Sequence, residues 1–301
     1  MSALVTAPRQ VIPNTTYLVT RRTAQRQFLL KPSDLTTALF GYLLAVAAAR
    51  YRIEVHAYVV MSNHHHLVVT DRLGQLPAFG QFLASLVARA LNASYGRWES
   101  FWAPASYSAV ALVSKEDLLE KAAYTLANPV AAGLVSTGRA WPGLWSDPAD
   151  IGPAGRTFER PAQFFDPDGQ MPARSTLPLT PPPGFTAEEY RSALTSRLAE
   201  IEKRAARELE AAGRKFMGAR RVLAQRHTDY PAPGEPRREL NPRVAARDKW
   251  KRIEALGRLK DFLRHYREAL TKLRQGVAGV VFPQGTYRLR VLFGVPCSAA
   301  G

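Results

Sequence analysis

The chain has 301 residues, of which 46% are hydrophobic, with 41 Lys and Arg against 25 Asp and Glu for a net charge of +16. That length and apolar content suffice for a sizeable core in one large or two small domains, and a pI near 10.3 points to a polyanionic partner. The single cysteine, Cys297, excludes an internal disulfide and a thiolate metal cluster. The first residues lack a basic-then-apolar leader pattern, and no apolar run reaches the roughly 18 residues of a membrane span, so a cytoplasmic protein with no membrane partner is expected. The charge is uneven: residues 1–150 carry 13 basic against 9 acidic side chains, and residues 151–301 carry 28 against 16. The second half is therefore the stronger electrostatic handle for a polyanion.

In chain order, Thr16 to Thr20 reads as a first strand, followed by Arg21 and Arg22. Ser33 or Asp34 caps a helix from Leu35 to about Arg50 with an apolar stripe of Leu35, Leu39, Leu43 and Val46. Ile53 to Met61 and His64 to Thr70 alternate as two strands of a hairpin across a Ser62-Asn63 turn. A second helix covers about Leu76 to Tyr95, and a fourth strand falls near Ser106 to Val113. Ser114 then opens a third helix, with Glu116 and Asp117 in its first turn. Pro129 disfavours helical backbone at the preceding residue, so this helix is expected to stop at Asn128. The order strand, helix, strand, strand, helix, strand, helix predicts an α+β domain, a ferredoxin-like antiparallel sheet with helices on one face and one helix added.

Residues 146–185 shift towards Pro, Gly, Asp and Arg and read as a linker or arm. Thr186-Ala187-Glu188-Glu189 is a capping-box pattern that starts a long helix to about Ala212. A last long helix, about Arg247 to Arg274, is expected to pack by a stripe of Trp250, Ile253, Leu256, Leu263, Tyr266, Leu270 and Leu273. Val280 to Leu292 reads as a short hairpin or an arm folding back. Residues 186–301 as a whole form a basic, mostly helical accessory region suited to DNA.

Two motifs carry chemistry. On a strand side chains alternate, so His64 and His66 share one face about 7 Å apart while His65 points the other way; two neutral imidazoles on one rigid strand are half of a divalent-metal site. Tyr124 and Asn128, four residues apart, share one face of the third helix. Either motif alone is ordinary, since His-x-His arises by chance and a tyrosine near a helix end commonly packs. Together, Met61-Ser62-Asn63-His64-His65-His66 followed by Tyr124 and Asn128-Pro129-Val130 resembles the single-tyrosine HUH transposases, most of all the REP-associated tyrosine transposases of bacteria.

The resemblance covers roughly residues 10–145 and implies an HUH catalytic domain on the ferredoxin-like core. It departs at His65, where the family usually has a hydrophobic residue. It further implies that His64, His66 and an oxygen of Asn128 bind a divalent metal, Mg²⁺ or Mn²⁺, and that Tyr124 is the nucleophile. The product is then a 5′-phosphotyrosine link and a free 3′-hydroxyl, in cleavage and rejoining of single-stranded DNA at hairpin-forming palindromic repeats. A nucleoid-associated bacterial protein is the setting this implies, with a homodimer left open. Arg21, Arg22, Arg26, Arg97 and Trp98 supply phosphate and stacking contacts on the catalytic domain in this reading. Two other readings stay open: a domesticated hairpin-binding protein that keeps the fold without catalysis, and a metal-dependent hydrolase. For the hydrolase, only His56, His227 and His265 remain as further imidazole ligands.

Overall fold

The computed structural model describes residues 8–232 and 242–299. Strand β1 (Thr15–Arg22) is followed by helix α1 (Asp34–Tyr51), the hairpin β2 (Ile53–Met61) and β3 (His64–Asp71), helix α2 (Leu76–Ser94), strand β4 (Ser108–Leu112) and helix α3 (Lys115–Ala131). These four strands lie side by side in the order β2-β3-β1-β4 and pair antiparallel throughout, the arrangement of a ferredoxin-like βαββαβ unit.

Local chemistry sets the boundaries. The Ser33 hydroxyl accepts from Thr36 N at the start of α1. Ser114 and Asp117 form a reciprocal capping box at the start of α3, which satisfies two donors otherwise orphaned at a helix N-terminus. The α3 helix does not stop at Asn128 as expected. It continues to Ala131 with Pro129 inside it, because the carbonyls of Asn128, Pro129 and Val130 accept from Ala132, Leu134 and Gly133 and close the last turn. Proline removes one donor, and here the chain turns within a few residues anyway.

Helices cover both faces of the sheet rather than one. His65 touches Phe40 of α1 on one side and Trp102 on the other, and Trp102 donates its indole N–H to Ala84 O of α2. His66, on the opposite face by strand alternation, touches Tyr124 of α3. The α3 helix seats closely through Ala122, Ala123, Leu126, Ala127 and Val130, all buried. Two tryptophans fasten this side, Trp141 Nε1 donating to Val60 O at 3.0 Å and Trp145 Nε1 to Leu126 O at 2.9 Å. A Cβ at Gly138 would stand 2.7 Å from the Trp145 ring, so only glycine allows that approach.

Residues 146–185 are not an unpacked linker. They contain strands β5 (Gly152–Glu159) and β6 (Arg174–Leu179), which pair with each other and extend the sheet beyond β2. Phe158, Leu177 and Leu179 join the main core. The next helix, α4 (Ala187–Ala211), opens with the expected Thr186–Glu189 capping box and buries Tyr190, Leu194, Leu198 and Ile201 in that same core. A short helix α5 (Ala219–Leu223) follows, then strand β7 (Val244–Ala245) on the far edge beside β4.

Helix α6 (Lys249–Arg274) packs through Ala255, Phe262 and Ala269. The expected stripe is largely outside: Trp250, Ile253, Leu256 and Leu273 are exposed. Of the hairpin or folded-back arm expected at 280–292 the arm is what forms: Val11 N donates to Gly285 O and Gln10 bridges Thr286, helix α7 (Arg288–Phe293) follows, and Phe282 is bridged to Cys297. Among the described residues no helix is long and apolar enough to cross a membrane.

Candidate active site

On the α3 side of β3 the His64 and His66 rings meet edge to face, centroids 4.8 Å apart and planes at 87°. The His66 ring lies 5.7 Å from that of Tyr124, and its Nε2 is 3.3 Å from the Asn128 carboxamide nitrogen. One turn of helix separates Tyr124 from Asn128, so both reach His66. Tyr124 remains 41% exposed, open to a substrate from solvent. The Lys121 ammonium stands 5.4 Å from the centre of the Tyr124 ring.

The hydrogen bonds fix the protons on both imidazoles. His64 Nδ1 is 2.7 Å from Asn63 Oδ1, an acceptor, so Nδ1 carries the proton and donates it. His66 Nε2 faces a donor, the Asn128 amide, so its proton also sits on Nδ1, which donates to Thr20 Oγ1 at 2.8 Å. Burial, reinforced by the Arg22 charge, holds the His64 pKa down at about 4. Burial and the neighbouring His64 hold His66 well below the ordinary histidine value. Both are neutral at pH 7, the form that ligates a metal. Two neutral imidazoles whose Nδ1 atoms donate to Asn63 and Thr20, beside one carboxamide that donates to His66 Nε2, fit a divalent cation that takes mixed N and O ligands. Among the described residues no cluster of three or more His, Cys, Asp or Glu side chains is arranged to hold a metal.

His65 faces the other way, between Phe40 and Trp102 at 5.3 and 5.6 Å, its Nδ1 buried without a partner. Of the basic residues singled out in the sequence, Arg22 pairs in register with His64 and, with Arg26, acts on its charge. Arg21 pairs with His65 and stacks on Trp102 at 5.1 Å, so it belongs to the opposite face. Arg97 and Trp98 follow the C-terminal end of α2; Arg97 pairs with Glu99 at 3.8 Å, and Trp98 is 96% exposed. Neither makes a contact with the histidine pair. Two residues of the site escape sequence reading. Thr20 lies across the sheet from His66, a pairing visible only once the β1–β3 register is known, and Lys121 is one of many basic residues. Asn63 does precede the histidines directly.

The chain is similar to a REP-associated tyrosine transposase solved bound to a REP hairpin, at 20% identity and a TM-score of 0.40, over 50% of this chain and 85% of that one. It is also similar to a candidate transposase from Deinococcus radiodurans R1, at 20% identity and a TM-score of 0.28, over 35% of this chain and 83% of that one. Both are described as transposases. No protein-family model and no curated protein matches the chain.

Proposed function

We propose that this chain is a single-tyrosine transposase that cleaves and rejoins single-stranded DNA, with hairpin-forming palindromic repeats as substrate. The observation that carries the reading is the convergence of His64, His66, Asn128 and Tyr124 on one side of the sheet. The Tyr124 phenol oxygen attacks the scissile phosphorus; the new Oη–P bond forms as the P–O3′ bond breaks. The phenol gives up its proton, the departing 3′ oxygen takes one from solvent, and the strand is left as a 5′-phosphotyrosine with a free 3′-hydroxyl. Because one phosphoester replaces another, reversal by a second 3′-hydroxyl rejoins strands without ATP.

His64 Nε2, His66 Nε2 and Asn128 are the groups that would hold Mg²⁺ or Mn²⁺, which when bound neutralises charge on the non-bridging phosphate oxygens. Thr20 and Asn63 hold the two rings in the ligating tautomer. Lys121, one turn before Tyr124, sets a positive charge beside the attacking group, and Arg22 and Arg26 stand ready for the neighbouring phosphates. An unpaired strand suits this arrangement, since the phosphate must reach a tyrosine on a helix surface.

The test is incubation of the protein with end-labelled single-stranded hairpins and Mn²⁺, followed by denaturing electrophoresis. A protein–DNA band that resists denaturant, disappears with chelator and is absent for Tyr124→Phe is the expected result. Hairpin binding without any adduct would replace the catalytic reading with that of a non-catalytic hairpin binder. DNA cleavage without an adduct would point to hydrolysis instead.

A further inference from the structure

A second site lies on the opposite face of the sheet. Between β1, β4, α2 and α6 runs a cleft of about 980 Å³, a volume ordinary for a small organic ligand. Its walls are largely apolar, yet Arg9, Arg21, Lys115, Arg243 and Arg258 line it, and among the described residues no Asp or Glu does. Arg258 has Glu254 at 3.6 Å, and Lys115 lies over the Phe185 ring at 4.9 Å. Arg9 and Arg21 have no carboxylate partner among the described residues.

Arg9 stacks on Tyr107 at 4.8 Å and donates one Nη to Tyr107 O at 2.7 Å, but its other Nη is buried without a partner. Arg21 stacks on Trp102 and leaves its Nε buried and unpartnered; the Tyr107 hydroxyl is a third orphan of the same kind. All three line the one cleft. Burial lowers the pKa of both guanidiniums and pushes the Tyr107 phenol up to about 12, so that hydroxyl stays a donor at pH 7. Buried charge without a counter-charge is expensive, and donors left unmade in a folded protein call for a partner. None of these residues contributes to the tyrosine site, which faces the other way.

We propose that this cleft binds a nucleotide, its phosphate held by Arg9, Arg21 and the Tyr107 hydroxyl and its base laid along the apolar wall between α2 and the sheet. The unpartnered Nη of Arg9, the Nε of Arg21 and the Tyr107 phenol suit the oxygens of a phosphate monoester, and the apolar remainder suits a flat ring. The phosphate can arrive on a free nucleotide or on the 5′ end of a strand. This site does not depend on the cleavage reading above, because its readouts are binding alone.

The experiment titrates the full chain calorimetrically with a deoxynucleoside 5′-monophosphate, the same nucleoside without phosphate, and inorganic phosphate. One-to-one binding of the monophosphate is expected, tighter than either fragment. Arg9→Gln and Arg21→Gln should each weaken it by at least about tenfold, the worth of a charge-assisted hydrogen bond. Both variants should melt no lower than the parent without ligand, since each removes an uncompensated charge. Arg139→Gln, a surface control paired with Asp147, should bind as the parent does. Should an Arg→Gln variant fail to fold, Tyr107→Phe tests the same phosphate contact. Displacement of the monophosphate by a 5′-phosphorylated oligonucleotide, but not by its unphosphorylated twin, assigns the strand end as the source; no displacement by either assigns the free nucleotide. Absent binding at millimolar monophosphate, equal binding of inorganic phosphate, or unchanged affinity in the arginine variants would each overturn the proposal.

Discussion

The two faces of β3 treat neighbouring histidines in opposite ways. On one face His64 and His66 each have an Nδ1 partner, the Asn128 carboxamide meets His66 Nε2, and a tyrosine stands beside them. On the other, His65 is wedged between Phe40 and Trp102 with an orphaned Nδ1 and burial that drives its pKa to about 3. Three identical side chains in a row thus become two oriented bases and one packing residue. The cause is strand alternation, which hands each ring a different set of neighbours.

The sharpest way to break this contrast is at the nucleophile. Tyr124→Phe should lower adduct formation by at least about a thousandfold while hairpin affinity in a gel-shift titration stays within about twofold. Persistence of the adduct would send the search to another tyrosine; Tyr107, the nearest in sequence, has its hydroxyl buried on the wrong face of the sheet.

Next come the histidines themselves. His64→Ala and His66→Ala should each reduce Mn²⁺-dependent cleavage by at least about a hundredfold, whereas His65→Leu should cut within a few fold of the parent, a leucine filling an apolar slot between two aromatic rings. Equal losses in all three would show that fold integrity, not ligation, governs activity.

That much was readable in the sequence because it rests on local periodicity. The alternating run around Ser62-Asn63 gave the hairpin and its faces, Ser33 and Ser114 gave two helix starts, and the four-residue step from Tyr124 to Asn128 gave a shared helix face. The strands in 146–185 were not readable. They are short additions at the sheet edge in which only Phe158, Leu177 and Leu179 are buried, and edge strands tolerate the prolines and glycines that mark loops. Helix α6 misled for the opposite reason: its periodic stripe is real, but tertiary contact selected Ala255, Phe262 and Ala269 instead. Thr20 was invisible because its partner lies 46 residues away.

Thr20 offers a finer test. Thr20→Val deletes the hydroxyl that accepts from His66 Nδ1 and leaves strand propensity intact, so Mn²⁺ affinity should weaken about 10- to 100-fold, with cleavage recovered at higher Mn²⁺. Recovery separates misorientation from loss of a ligand.

The smallest effect concerns His56, the bulged residue of β2, which stitches β2 to Thr180 and to Thr70. Burial holds its pKa near 4 against 6.5 for the free side chain. The unfolded chain therefore takes up this proton first on acidification, and the resulting stability is intact above about pH 6.5 and lost progressively down to about 4, by up to roughly 1.4 kcal/mol per pH unit. Melting temperatures across that range should fall less steeply in His56→Leu than in the parent. An identical slope would mean that other buried histidines dominate the acid response.

The hydrogen bonds around the histidine pair draw on Thr20, Asn63 and Asn128, three points spread over more than a hundred residues, and α3 is itself backed by α4. No short segment emerging from a ribosome contains the constellation, and contacts of such sequence separation form late in folding. The arrangement proposed to act on DNA therefore does not exist while the chain is being made. The tyrosine helix reaches its histidines only once the sheet has closed, so a truncated or misfolded product carries Tyr124 without the imidazoles beside it.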